Sequence, residues 1–227
     1  MTPRCALALP LLIAAPLAAP AQTAPSDAEI AAYEGLHRAA HEGDAAEITR
    51  LAAGGADVNA RDGHGRTPSL VAAFASQDAA LTVLARAGAD MNAQDRVGYD
   101  AVTIAAVAGD AEFMSLALSL GNRPDLIHTN WDGTALIAAS ELGHAEVVRR
   151  LTAAGAPLDH VNNLGWTALI EAVVLGDGGP AHVETVRALV EAGADPTIGD
   201  RDGVTPLAHA EARGFGEIAA ILRAVRP

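Results

Sequence analysis

Lysine is absent from the 227-residue chain: all 15 cationic side chains are arginine, set against 28 aspartates and glutamates, for a formal charge of −13. An acidic chain repels nucleic acid, whose phosphate backbone is bound through clustered positive charge. No Walker-type lysine is available either, so the short stretch Gly176–Pro180 reads as a surface loop and not as a phosphate cradle. The single cysteine, Cys5, lies at the N-terminus, which excludes an internal disulfide. The Gly-x-Ser-x-Gly and His-Glu-x-x-His patterns of common hydrolases do not occur. Aromatic residues make up only 3% of the chain while apolar residues make up half. Such an alanine-rich core suits thin helices packed close together.

What is present begins with residues 1–21. Arg4 precedes an apolar run from Cys5 to Leu17, and Ala19-Pro20-Ala21 forms a small-residue cleavage pattern before Gln22. The run is shorter than the ~20 residues of a spanning helix, and Pro10 and Pro16 interrupt it. We read a cleaved signal peptide ending at Ala21, the alternative being a retained anchor. Export to the periplasm or beyond follows, with no membrane insertion after cleavage. Residues 22–28 are a linker and the start of an N-capping helix, where Ser26 and Glu29 have the spacing of a capping box.

The stretch from Thr129 to Ala156 predicts helix, tight turn and helix. Thr134 caps Ala135–Leu142, Gly143 breaks it, and Ala145–Ala153 ends at Gly155. Neither helix is long enough to stand alone in water. Comparable glycines recur at Gly55, Gly88, Gly121, Gly155 and Gly193, in steps of 33, 33, 34 and 38 residues. Between them recur GADVNA, GADMNA, RTP, GTAL, WTAL and VTPL. This pattern resembles the ankyrin repeat, over residues 29–227. The resemblance implies an all-α repeat solenoid of about six helix-turn-helix units, including caps, joined by β-hairpin-like loops. The units are 29–61, 62–94, 95–128, 129–161, 162–199 and 200–227. One extra residue between Gly121 and Thr134 predicts an irregular hairpin between repeats 3 and 4. Repeat 5 carries five extra residues at Gly176–Pro180, expected to form a loop that tolerates deletion.

The resemblance further implies a non-enzymatic, monomeric scaffold that binds an unidentified partner protein through a concave groove, with no cofactor. It places His37 where a ring hydrogen-bonds a neighbouring hairpin. Aligned repeats put Arg38, Val71, Ile104, Ala138, Glu171 and His209 at one groove position. His41, Phe74, Val107, Glu141, Val174 and Ala212 follow one helical turn later. The partner-binding candidates are Phe74, Tyr99, Trp131 and Trp166, as aromatics favoured at hot spots, and the polar trio Glu141, Glu171 and His209. The trio is also the basis of the alternative, an enzyme or metal-binding protein. His37 and His41 share a helix face, but no third ligand has zinc spacing.

Overall fold

A computed structural model describes residues 24–128 and 131–225. The predicted signal peptide and the first two residues of the fourth repeat lie outside them. The chain opens with α1 (Asp27–Ala32), started by the expected capping box: the Ser26 hydroxyl accepts from the Glu29 N–H while the Glu29 carboxylate accepts from the Ser26 N–H. Six first helices follow, α2 (Gly35–Glu42), α4 (Pro68–Phe74), α6 (Ala101–Ala108), α8 (Ala135–Glu141), α10 (Ala168–Val174) and α12 (Pro206–Ala212). They alternate with six second helices, α3 (Ala45–Ala53), α5 (Asp78–Arg86), α7 (Ala111–Ser119), α9 (Ala145–Ala153), α11 (Pro180–Ala192) and α13 (Gly216–Ala224). Each first helix packs on the next first helix, and each second helix on the next second helix. The solenoid of six units is therefore present. Among the described residues no helix is long and apolar enough to cross a membrane.

The local chemistry repeats with the fold. Thr67, Thr134, Thr167 and Thr205 each cap a first helix by accepting the N–H three residues on. In the degenerate third repeat Asp100 does the same for Thr103 at 2.7 Å. The core is small and aliphatic, with Leu70, Leu84, Leu136, Leu151, Leu169 and Leu189 fully covered. Packing of one helix pair on the next supplies the burial that a single pair lacks. The expected histidine bond is in place: His37 Nε2 lies 3.0 Å from the Arg66 carbonyl in the next hairpin.

The hairpins are stitched by side chains. Arg61 donates to the Gln94 carbonyl, and Gln94 to the Ile127 carbonyl at 3.0 Å. Ile127 and Val161 hold the same place in the next hairpins and cannot donate; both are exposed. A parallel line of contacts runs from Asn59 to the Asp90 N–H and from Asn92 to the Arg123 N–H. It is interrupted where Pro157 offers no N–H, so that Asp125 turns to Arg123, and it resumes from Asp159 to the Asp195 N–H. At this break lie the strands β1 (Ile127–His128) and β2 (Gly133–Thr134), paired antiparallel. Asp132 takes φ 51° where the regular hairpins have Gly65, Gly98, Gly165 or Gly203. The hairpin between repeats 3 and 4 is irregular, as its length predicts.

The inserted segment of repeat 5 differs from the expected loose loop. Pro180 is the first residue of α11, which runs for 13 residues where the other second helices have nine. Gly176 is buried, and a Cβ there would meet the Ala172 carbonyl oxygen. Arg213 donates to the carbonyls of Val174 and Gly176. His182 bridges the Asp177 carboxylate and the Glu141 carbonyl, each at 3.0 Å. Much of the extra length is a helical turn, and the remainder is clamped to the body.

Candidate functional site

Every regular hairpin turns on one acid or amide. Oδ1 of Asp62, Asp95, Asn162 and Asp200 each accepts two backbone N–H groups of its own turn. The second terminal atom of three of these then bonds a further side chain. Oδ2 of Asp62 takes the Tyr33 hydroxyl and the Arg66 guanidinium, both at 2.8 Å. Oδ2 of Asp200 lies 2.8 Å from His209 Nε2. In repeat 5 the slot holds an amide, and Asn162 Nδ2 donates to Glu171 Oε1 at 2.8 Å. An aspartate there would set carboxylate against carboxylate.

The trio proposed from sequence thus resolves into separate pairs. Glu171 and His209 occupy equivalent positions, but each is held within its own repeat, by Asn162 and by Asp200. Among the described residues no group of three His, Cys, Asp or Glu side chains is arranged to hold a metal ion. Glu171 and Glu141 do sense each other. Glu171 is 3% exposed and its Oε2 has no hydrogen-bond partner. Burial first, and the charge of Glu141 second, push its pKa up to about 7 against the donation from Asn162. Glu141, at the exposed end of α8, is raised too, because surrounding protein strips part of its solvent.

The aromatics divide differently from the expectation. Tyr99 is only 5% exposed; it stacks on His128 with ring centres 5.5 Å apart, so its ring offers almost no contact surface. Gly133 explains this arrangement: it stands where Arg66, Tyr99 and Trp166 carry side chains, and a Cβ there would meet the His128 ring at 3.1 Å. Trp131, Trp166 and Phe74 are half-buried. The Trp131 carbonyl accepts from Asn163 and ties hairpins 4 and 5 together. Sequence reasoning missed Val97 and Leu142, both 44% exposed. Val97 sits at the tip of hairpin 3 and Leu142 directly after Glu141. It also missed Asn162, although an amide in a slot held by aspartate in the other regular hairpins, nine residues before a glutamate, was readable.

A family profile described as ankyrin repeats (three copies) matches residues 102–200. The ankyrin repeat protein YahD of Escherichia coli K12 is 37% identical over 186 residues, spanning 81% of this chain and 92% of that protein. The chain belongs to the ankyrin-repeat family. Solved structures agree with this assignment. An ankyrin repeat domain from Acinetobacter baumannii AYE is 41% identical with a TM-score of 0.78, covering 83% of this chain and 95% of its own. The ankyrin repeat protein EF0377 is 32% identical at the same TM-score, covering 86% and 100%. Ankyrin-repeat domains generally mediate protein–protein interaction and are typically non-enzymatic scaffolds. On such a scaffold, chemistry has to be sought in the side chains that vary between repeats. Here these are the hairpin tips and the exposed ends of first helices.

Proposed function

We propose that this ankyrin-repeat chain is an exported, non-enzymatic, monomeric module that binds a partner protein along its groove, with repeats 3 to 5 as the centre. The supporting observation is apolar surface where a free-standing repeat needs none: Val97 and Leu142 stand exposed, and Trp131 and Trp166 are half-buried, in repeats 3 to 5. Aromatic side chains in such places serve as anchors when a partner covers them. The N-terminal pattern at residues 1–21 supports export; N-terminal sequencing of secreted protein should begin at Gln22, and intact Met1 on cytoplasmic protein would defeat that part. For the groove, Trp131→Ala should weaken partner binding about thirtyfold, equivalent to about 2 kcal/mol, with the unfolding midpoint within a few degrees of wild type. Normal binding by both Trp131→Ala and Phe74→Ala would move the interface off this face.

One observation favours the rival reading of acid–base or metal chemistry: a pKa near 7 at Glu171 suits proton transfer. Stoichiometric metal in the purified protein, or activity lost on Glu171→Gln, would support it. The hold of Asp200 on His209 weighs against it.

A further inference from the structure

We propose that Glu141 and Glu171, on the packed first helices α8 and α10, receive a lysine or arginine side chain of the partner polypeptide, carried between apolar residues that cover Val97, Trp131 and Leu142. The inference deepens the groove reading and rests on it. Three observations converge.

The first is unspent negative charge. No arginine among the described residues forms a salt bridge with Glu141 or Glu171, although arginines pair with Glu29, Glu47, Glu146, Glu184, Glu211 and Glu217 elsewhere. The second is the state of Glu171. One of its oxygens is satisfied by Asn162, while the other is buried and unpartnered. A buried acceptor left without a donor is a cost that an entering cation would remove. The third is the frame. Val97 and Leu142 are each 44% exposed, and Trp131 is half-buried on the hairpin that opens repeat 4. Neighbouring residues relate the frame to the acids: Tyr99, two residues from Val97, feels the charge of Glu141, and Leu142 follows Glu141 in the chain. Asn162, which holds Glu171, precedes Asn163, whose N–H bonds the Trp131 carbonyl.

Charge selects the occupant. Two carboxylates, one buried and one exposed, exclude an acidic segment, and the whole chain at −13 steers cations toward them. Guanidinium and ammonium groups both supply donors to two oxygens at once, with guanidinium better matched in shape. Their aliphatic stems would lie along the Trp131 ring.

The test is selection of random displayed peptides against the purified full chain, followed by affinity measurement with synthetic copies of the enriched sequences. The expected result is enrichment of a lysine or arginine flanked by apolar residues. Affinity for those peptides should fall about tenfold or more on Glu141→Gln and on Glu171→Gln, in line with loss of a charge-assisted hydrogen bond. Both variants preserve side-chain shape, and circular dichroism verifies their fold. Glu141, exposed at a helix end, is the safer of the two. Enriched peptides that lack a basic residue, yet lose affinity on Trp131→Ala, would overturn the cation proposal and leave the groove reading standing. Peptides indifferent to Glu141→Gln, Glu171→Gln and Trp131→Ala alike would overturn both. Failure to enrich any peptide would overturn the proposal, with the groove then decided by Trp131→Ala against the native partner.

Discussion

The hairpin slot filled by Asp62 in repeat 2 and by Asn162 in repeat 5 leads to opposite electrostatics. Around Asp62 the charges close on themselves. Arg66, 1% exposed, pairs with Asp62 and with Glu29, while the Tyr33 hydroxyl adds a further donor. Glu29 is held down to about 2, first by the Ser26 hydroxyl and backbone N–H and then, against the cost of burial, by Arg66. Around Asn162 no cation arrives from the described residues, and Glu171 is pushed up to about 7. The same backbone frame thus makes a finished structural network at one end and an unfinished acidic pair near the other. The difference comes from the residue before the capping threonine, Arg66 or Trp166, and from what the neighbouring helix presents.

Breaking the finished side should have the largest effect. Arg66→Ala leaves Asp62 and Glu29 without their cation, and urea unfolding should show a loss of about 3–5 kcal/mol, as for buried pairs cut on one side. A loss below about 1 kcal/mol would put this pair in the class of surface ion pairs and erase the contrast.

The unfinished side should respond with the reverse sign in pH. Glu171 has a folded pKa raised above its ordinary 4.5 to about 7. The folded state therefore binds more protons between those values, and stability falls as pH rises through them. Glu171→Gln should accordingly stabilise the protein by up to about 3 kcal/mol at pH 8 and by almost nothing at pH 4. Glu29 behaves oppositely: its contribution is complete above 4.5 and is lost as pH falls toward 2. Equal effects of Glu171→Gln at both pH values would mean that only packing changed. The groups that act on Glu171 are Glu141 on α8 and Asn162 in its own hairpin, so the double variant with Glu141→Gln identifies the coupling.

The smallest effect sharpens the comparison of hairpins. Ile127→Gln restores the donor that Arg61 and Gln94 supply in the earlier repeats, toward the Val161 carbonyl. Thermal unfolding should show a gain of about 0.5 kcal/mol, the low end for an exposed hydrogen bond. A loss would mean that Ile127 already makes apolar contacts worth more.

The features legible in the sequence were those set by backbone period and turn chemistry. The helix pair Ala145–Ala153 after Ala135–Glu141, its Thr134 cap, the Ser26–Glu29 box and the irregular third hairpin all follow from residue type at fixed spacing. Burial along the groove was not legible, because one repeat position exposes Arg38 and covers Val71, Ile104 and Glu171. Which outcome occurs depends on the neighbouring repeat, and the spacing within one repeat carries no record of it. Pro180 was readable as a helix start, since proline suits the first helical position; reading it with the preceding glycines hid that. Tyr99 was placed with the contact aromatics because its stacking partner, His128, arises from the irregular hairpin and from the missing side chain at Gly133.

The contrast between a closed and an open set of charges turns on one carboxyl group. Carbon-13 NMR of the Glu171 side-chain carboxyl, followed through a pH titration of the full chain, measures it directly. The account predicts a midpoint near pH 7 that moves down when Glu141 is replaced by glutamine. A midpoint at the ordinary 4.5, unmoved by Glu141→Gln, would show that Glu171 is already solvated or paired, and that the groove holds no unspent charge.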